Sequence, residues 1–322
     1  MSQESKGGHN SSHHHHKLEI PPSRWLMLGV IAVILMAISI WIGQLSYAWL
    51  PPQASAESLL VDNLFSFLVT LGTFIFLGVT GTVMYSVFFQ QAGKYDYSDG
   101  PPVEGNVTLE IIWTAIPILL VFWIAGYSYQ IYIDMGIQTN MGLGHLHLPI
   151  KMESAMAATT ANTPEAVEKI EVEAKQWAWV FKYPNSKVSS TELHLPEGKR
   201  IRLALTSDDV LHGFYIPAFR IKQDIIPAHP LDVEFTPIRT GKYRLRDSQF
   251  SGTYFATMQA NVIVESLEDY QKWLHSAATL TPTPATNQAA TEYEQETNKN
   301  KPFQAGWPSV APASPPVVNY HD

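Results

Sequence analysis

Cysteine is absent from this chain. That excludes disulfides, thiolate metal sites, thiol nucleophiles and a lipid-modified N-terminal cysteine. Charge is scarce as well. Only 16% of the 322 residues are Asp, Glu, Lys or Arg, against roughly a quarter in soluble domains, and the shortfall points towards a bilayer. No basic run occurs and the formal net charge is −8, so nucleic acid is excluded as a natural partner. Internal repeats are lacking too.

What the chain has in quantity is apolar sequence. Trp25 to Leu50, Leu64 to Phe89 and Ile111 to Ile133 contain no charged residue. Each exceeds the roughly 20 residues that a helix needs to cross the hydrocarbon core, so three membrane helices are predicted. The first admits two readings. Lys17 and Arg24 before it and Ala54-Ser-Ala56 after it fit a cleaved signal peptide, whereas its length fits a retained helix. Either reading leaves the following domain on the outer side of the membrane, in keeping with the positive charges before the first helix.

The chain divides into a tail and first hydrophobic segment (1–60), a transmembrane hairpin (61–135), a connector (136–166), an exterior domain (167–266) and a polar C-terminal tail (276–322). The exterior domain alternates in short runs such as Ile170-Glu-Val-Glu-Ala-Lys-Gln-Trp177, Arg200-Ile-Arg-Leu-Ala-Leu205 and Asn261-Val-Ile-Val264. Turn signals lie between them at Pro184-Asn185, Glu197-Gly198 and Thr240-Gly241. That texture predicts an antiparallel sandwich or small barrel. The tail is rich in Thr, Pro, Ala and Asn and is expected to stay disordered. His13 to His16 read as a polar leader, and His145 and His147 as a solvated part of the connector.

Several segments carry a resemblance. They are Leu109-Glu-Ile-Ile-Trp-Thr-Ala-Ile-Pro117, Glu171-Val-Glu-Ala-Lys-Gln-Trp-Ala-Trp-Val-Phe-Lys-Tyr-Pro184, Thr206-Ser-Asp-Asp-Val-Leu-His-Gly-Phe-Tyr-Ile-Pro217, Ile221-Lys-Gln-Asp-Ile-Ile-Pro227 and Ser251-Gly252. In that order they resemble subunit II of the haem-copper respiratory terminal oxidases, the cytochrome c oxidase subunit II family. The stretch Gly100-Pro-Pro-Val-Glu-Gly105 and the extra N-terminal segment look most like cyanobacterial members. The resemblance implies two or three transmembrane helices followed by a cupredoxin-like sandwich, in agreement with the strand pattern. It also implies subunits I and III as partners, with haems and copper in subunit I. Glu110 falls at the family's entrance to a proton pathway, and Trp177 at its electron-entry tryptophan.

One stretch departs from the family pattern. Copper-bearing relatives read Cys, any residue, Glu, any residue, Cys, three residues, His, two residues, Met. Here the same positions hold Asp247, Gln249, Ser251, Phe255 and Met258, and only His212 and Met258 remain of the ligands. A binuclear copper centre needs bridging thiolates, and a mononuclear blue site needs one. The expectation is therefore no cofactor in this chain, with His212 and Met258 as structural residues and Trp177 as core packing. Gln249 puts a further family ion, magnesium or manganese, in doubt, because an amide is a poorer ligand for a hard cation than a carboxylate.

The resulting expectation is a subunit of a proton-translocating quinol:oxygen oxidoreductase, set in the cytoplasmic or thylakoid membrane of a bacterium. A membrane quinol would act through subunit I, and cytochrome c would not be a partner. Two alternatives stay open: a cytochrome c oxidase subunit, or a non-enzymatic membrane-tethered binding module.

Overall fold

The computed structural model describes residues 21–91, 93, 95, 105–135, 167–297 and 310–321. The connector and the histidines at 13–16, 145 and 147 lie outside them.

Three helices are long and apolar enough to cross a membrane: α1 (Pro22–Leu45), α2 (Ala56–Phe89) and α3 (Val107–Asp134). Their large apolar side chains, among them Phe76, Trp113 and Phe122, face outwards. Such a surface is stable in lipid or against other apolar helices, where the backbone is already satisfied within each helix. Asn106 starts α3 by accepting hydrogen bonds from the Thr108 and Leu109 N–H groups at 3.1 and 3.2 Å, which is the N-cap arrangement.

Helix α2 begins at Ala56 rather than near Leu64, where the uncharged run starts. The two acids that marked a boundary in the sequence are neutralised in the fold. Glu57 Oε1 accepts from Arg200 Nη1 at 2.5 Å and its Oε2 accepts from the Thr236 N–H at 3.1 Å. Asp62 takes the Arg220 guanidinium with both oxygens, from Nε at 2.7 Å and Nη2 at 2.9 Å. At 1.5 Å per residue the helix is about 51 Å long, well beyond a hydrocarbon core of about 30 Å. Its first turns therefore extend past the lipid and join the folded domain.

That domain is a sandwich. Its strands are β1 (Glu168–Lys175), β2 (Ala178–Tyr183), β3 (Val188–Ser190), β4 (Leu193–Pro196), β5 (Ile201–Ser207), β6 (His212–Ile216), β7 (Ile221–Ile225), β8 (Leu231–Phe235), β9 (Gly241–Asp247) and β10 (Gln259–Glu265). One sheet runs in the order β3-β2-β1-β5-β8 and the other β4-β10-β9-β6-β7. Most pairs are antiparallel, but β1 with β5 and β4 with β10 are parallel. The alternation seen in the sequence is the alternation of burial. Ile170, Val172 and Ala174 of β1 face Phe214 and Ile216 of β6 and Val262 and Val264 of β10 in one core, while their sequence neighbours point outwards.

The described part of the C-terminal tail, 276–297 and 310–321, corrects the expectation of disorder. After α4 (Leu267–Ala278) the chain forms β11 (Thr283–Pro284), α5 (Gln288–Thr297) and β12 (Val317–Val318). Val318 packs with Val180 and Ala285. Asn319 Oδ1 accepts from the Ser189 N–H and hydroxyl, both at 3.0 Å, and the Thr191 N–H donates to the Tyr320 carbonyl at 3.2 Å. Nearer β2, the Ala313 N–H donates to the Gln176 carbonyl at 2.6 Å and Asn287 Nδ2 to that of Trp177 at 3.2 Å. The tail thus satisfies an exposed sheet edge, a common protection against strand-to-strand association. Composition misleads here because backbone bonds and two or three small apolar contacts do the holding.

The Asp62–Arg220 pair is almost wholly buried, so removing one partner strands a charge. Asp62→Ala should lower stability by about 3–5 kcal/mol, read as a drop in the thermal midpoint of the detergent-solubilised protein. Lys272→Ala, which breaks an exposed pair with Glu268, should leave the midpoint almost unmoved.

Candidate functional site

Four segments meet at one end of the sandwich. The loop before β6 brings Asp209, β6 starts at His212, β9 ends at Asp247, and the loop from Ser248 to Met258 leads into β10. The turn between β1 and β2 adds Gln176 and Trp177.

At the centre is Asp247, whose side chain is fully buried. Its Oδ1 accepts from the Gly213 N–H at 2.7 Å and the Gln249 N–H at 3.0 Å. Oδ2 accepts from the Ser251 hydroxyl at 2.8 Å and lies 2.8 Å from His212 Nδ1. The other ring nitrogen of His212, Nε2, lies 3.0 Å from Asp209 Oδ1. An imidazole with a carboxylate on each nitrogen donates from both only when protonated. Burial would push the His212 pKa down, but the hydrogen bonds to Asp247 and Asp209 outweigh it and hold it above its usual value. Burial would likewise raise Asp247, yet the bonds from His212, the two N–H groups and Ser251 hold it below the usual range. The two shifts agree on an ion pair.

Around this pair the packing is close. A Cβ on Gly213 would collide with Ser248 Oγ and stand 2.8 Å from the Gln249 nitrogen. Gly252 has φ +120°, and a Cβ there would stand 2.7 Å from the Trp177 ring. Trp177 itself is buried, donates from Nε1 to the Ser251 carbonyl at 3.2 Å, and meets Tyr254 edge-on at 5.2 Å. Gln176 Nε2 gives a second bond to the same carbonyl at 2.7 Å. Trp179 lies edge-on to His212 at 6.2 Å and donates to the Met258 carbonyl at 3.2 Å.

Residues 39–131 match the family model described as cytochrome c oxidase subunit II, transmembrane domain, and residues 188–267 the model of its periplasmic domain. A cytochrome c oxidase subunit 2 from Thermostichus vulcanus is 36% identical over 284 residues, covering 79% of this chain and 85% of that protein. Another from Synechocystis sp. is 32% identical over 296 residues, covering 85% and 87%. A quinol oxidase subunit 2 from Bacillus subtilis is 25% identical over 224 residues, covering 69% and 63%. This chain belongs to the cytochrome c oxidase subunit II family. It is therefore a membrane-anchored subunit II of a haem-copper oxidase, a component of an oxidoreductase complex that includes subunit I.

The family's binuclear copper does not fit the residues present. Both nitrogens of His212 are taken by carboxylates. Both oxygens of Asp247 are engaged twice, and Ser251 turns its hydroxyl onto Asp247. Met258 is buried in the apolar core. Phe255, in the place of the second histidine, packs edge-on against Phe250 at 5.2 Å. Gln249 Nε2 donates to Asp224 Oδ1 at 2.9 Å, so its amide serves a carboxylate. Among the described residues no three His, Cys, Asp or Glu side chains converge where one ion could sit.

The structure thus gathers His212, Asp247, Gln249, Ser251, Met258 and Trp177 into one region, with Phe255 on its loop. Glu110 is elsewhere: it is exposed in the first turn of α3, and its Oε1 lies against Gly105. Sequence reasoning missed Asp209 and Gln176. Asp209 had a signal in its spacing, three residues before His212, while Gln176 had none.

His212 has its folded pKa above the ordinary value of about 6.5. Its contribution to stability is complete below that value and is lost as pH rises through the raised one. Asp247 has its folded pKa below the ordinary value of about 3.9. Its contribution is complete above that value and is lost as pH falls through the lowered one. The thermal midpoint should therefore fall on both limbs, and His212→Gln should flatten the alkaline limb. A wild-type midpoint that did not change between neutral and mildly alkaline pH would contradict the ion pair.

Proposed function

We propose that this chain serves a quinol:oxygen oxidoreductase, in which electrons pass from a membrane quinol to the haems and copper of subunit I without crossing the β-domain. The single observation that carries the proposal is the Asp247–His212 pair. It fills the position of the thiolate cluster and occupies Nδ1 of the one remaining histidine, whose Nε2 is taken by Asp209. An electron arriving at Trp177 would meet a serine carbonyl and an ion pair, neither of which accepts it. The β-domain then acts in assembly, as a cap joined to the first turns of α2 through Glu57 and Asp62. Subunit III, a bacterial membrane of cyanobacterial type and the absence of a bound metal belong to the same proposal.

Glu110 is assigned to proton entry at the start of α3. Its local rival is helix stabilisation, since a carboxylate in a first turn contributes about 0.3–1 kcal/mol through the helix dipole. The second functional reading, a cytochrome c oxidase subunit, is favoured by the printed names of the two cyanobacterial-type relatives above 30% identity. It requires an electron carrier that the donor set does not supply.

Oxygen uptake by the purified complex separates the two. Reduced quinol should drive it, while reduced cytochrome c should be a negligible donor even at low salt, where electrostatic docking is strongest. His212→Ala and Met258→Leu should leave quinol oxidation near normal once folded protein is counted. Rapid cytochrome c oxidation that Trp177→Phe abolishes would end the proposal.

Glu110→Gln should slow oxygen reduction with haem content unchanged. A role in helix stabilisation alone predicts a small loss of stability and wild-type turnover instead.

Copper binding can be tested by reinstating the family ligands. Asp247→Cys, Gln249→Glu, Ser251→Cys and Phe255→His together should let the full-length protein take up copper with a visible absorption, while the native protein stays colourless. Coloured copper loading of the native chain would refute the proposal.

A further inference from the structure

The solvent face of β9 carries Lys242, Arg244 and Arg246 at alternate positions, all exposed, while Leu245 and Asp247 point inwards. Alternate residues on a strand lie about 7 Å apart, so the three cations form a line roughly 13 Å long. The register extends the patch sideways. Arg246 stands opposite Tyr215 of β6 and Gln259 of β10, Arg244 opposite Asn261, and Tyr215 opposite Lys222 of β7. Lys222 is exposed as well.

None of these four cations forms an ion pair among the described residues. Elsewhere in the β-domain most cations are matched, Lys169 by Glu171, Lys175 and Lys182 by Glu173, Arg200 and Arg202 by Glu234 and Arg220 by Asp62, while the unpaired Lys187, Lys199 and Arg239 lie apart from the stripe. The stripe stands out because its unpaired cations are lined up on one face, in a chain whose net charge is −8. Neighbouring like charges on one sheet face repel one another and destabilise it, so the arrangement weakens the isolated fold. An external anion would reverse that cost.

We infer that the outer face of β9 is a docking surface for an acidic segment of a partner polypeptide. A linear row of cations on a flat sheet matches acidic side chains spaced along an extended or helical segment. Tyr and Arg are enriched in the buried centres of protein interfaces, and here Tyr215 sits between Arg246 and Lys222, with two amide side chains on the other flank. An anionic lipid surface is the poorer match. Peripheral membrane binding draws on buried apolar area together with charge, and the patch holds only the half-buried Ile263 beside Lys242. Acidic proteins would be steered to this face, since complementary charge raises association rates and rejects wrong partners.

The test uses full-length protein in native membranes with a photo-crosslinking benzoylphenylalanine in place of Tyr215. The expected result is an adduct whose mapped peptide, from another polypeptide, carries an excess of Asp and Glu. Its yield should fall with added salt, and roughly tenfold or more in K242E/R244E/R246E, because like charges across an interface suppress association. The double change K187E/K199E, which reverses unpaired cations away from the stripe, should leave the yield unchanged. K242Q/R244Q/R246Q, which removes charge without introducing acids, should give an intermediate loss and guards against misfolding of the reversed variant. An adduct to lipid, to a neutral or basic peptide, or to nothing would overturn the inference. So would an acidic adduct that K187E/K199E reduces as much as K242E/R244E/R246E.

Discussion

The end of the sandwich depends on one buried carboxylate. Removing Asp247 from water is tolerable only because every lone-pair direction is used, and each donor imposes a condition on a neighbour. Gly213 must lack a side chain, since Ser248 and Gln249 lie where its Cβ would be. Residue 251 must carry a hydroxyl, and residue 212 must offer a proton from Nδ1. His212 can stay charged at depth because Asp209 accepts from its second nitrogen. An incomplete network of this kind is worse than an apolar core, so these positions form a unit that tolerates little change in any one member.

The loop shape that follows from this network also determines the tryptophan. With Ser251 tied to Asp247, its carbonyl turns to receive both Gln176 Nε2 and Trp177 Nε1. The chain then passes under the indole at Gly252, in a backbone conformation that side chains rarely adopt. The tail covers the same turn from the other side, through Ala313 and Asn287. Trp177 is thereby held by polar contacts on several sides, which suits a structural ring.

Much of this architecture could be read from the residues, and the failures have physical causes. Uncharged runs of more than twenty residues and period-two alternation are strong signals, so the helices and most strands were legible. The start of α2 was not, because Glu57 and Asp62 look like a boundary until Arg200 and Arg220, far along the chain, are known to meet them. The ordered tail was hidden for a related reason: its attachment uses backbone groups and small side chains that leave no compositional trace. At the site, the loss of the copper ligands could be read letter by letter. The ion pair that stands at those positions could not, since it needs Asp209 and Asp247 on opposite sides of one imidazole. Parallel pairing of β1 with β5 and β4 with β10 likewise leaves no mark in alternation.

The two faces of β9 bear on each other. On the inner face, the Asp247 carboxylate is committed to the His212 imidazolium, which Asp209 holds from its other nitrogen. The carboxylate is therefore not available to offset Lys242, Arg244 and Arg246 on the outer face of the same strand. Were Asp247 unpaired, its field would reach the stripe through a few ångströms of low-dielectric protein and reduce the repulsion there. Pairing it inside leaves Arg244 and Arg246 to be answered by water, by salt or by an acidic partner, while Glu192 offsets Lys242 in part. Screening falls off over about 8 Å at physiological ionic strength, which is close to the spacing of the cations. Salt alone therefore relieves their mutual repulsion only in part, and an apposed row of carboxylates relieves it more completely.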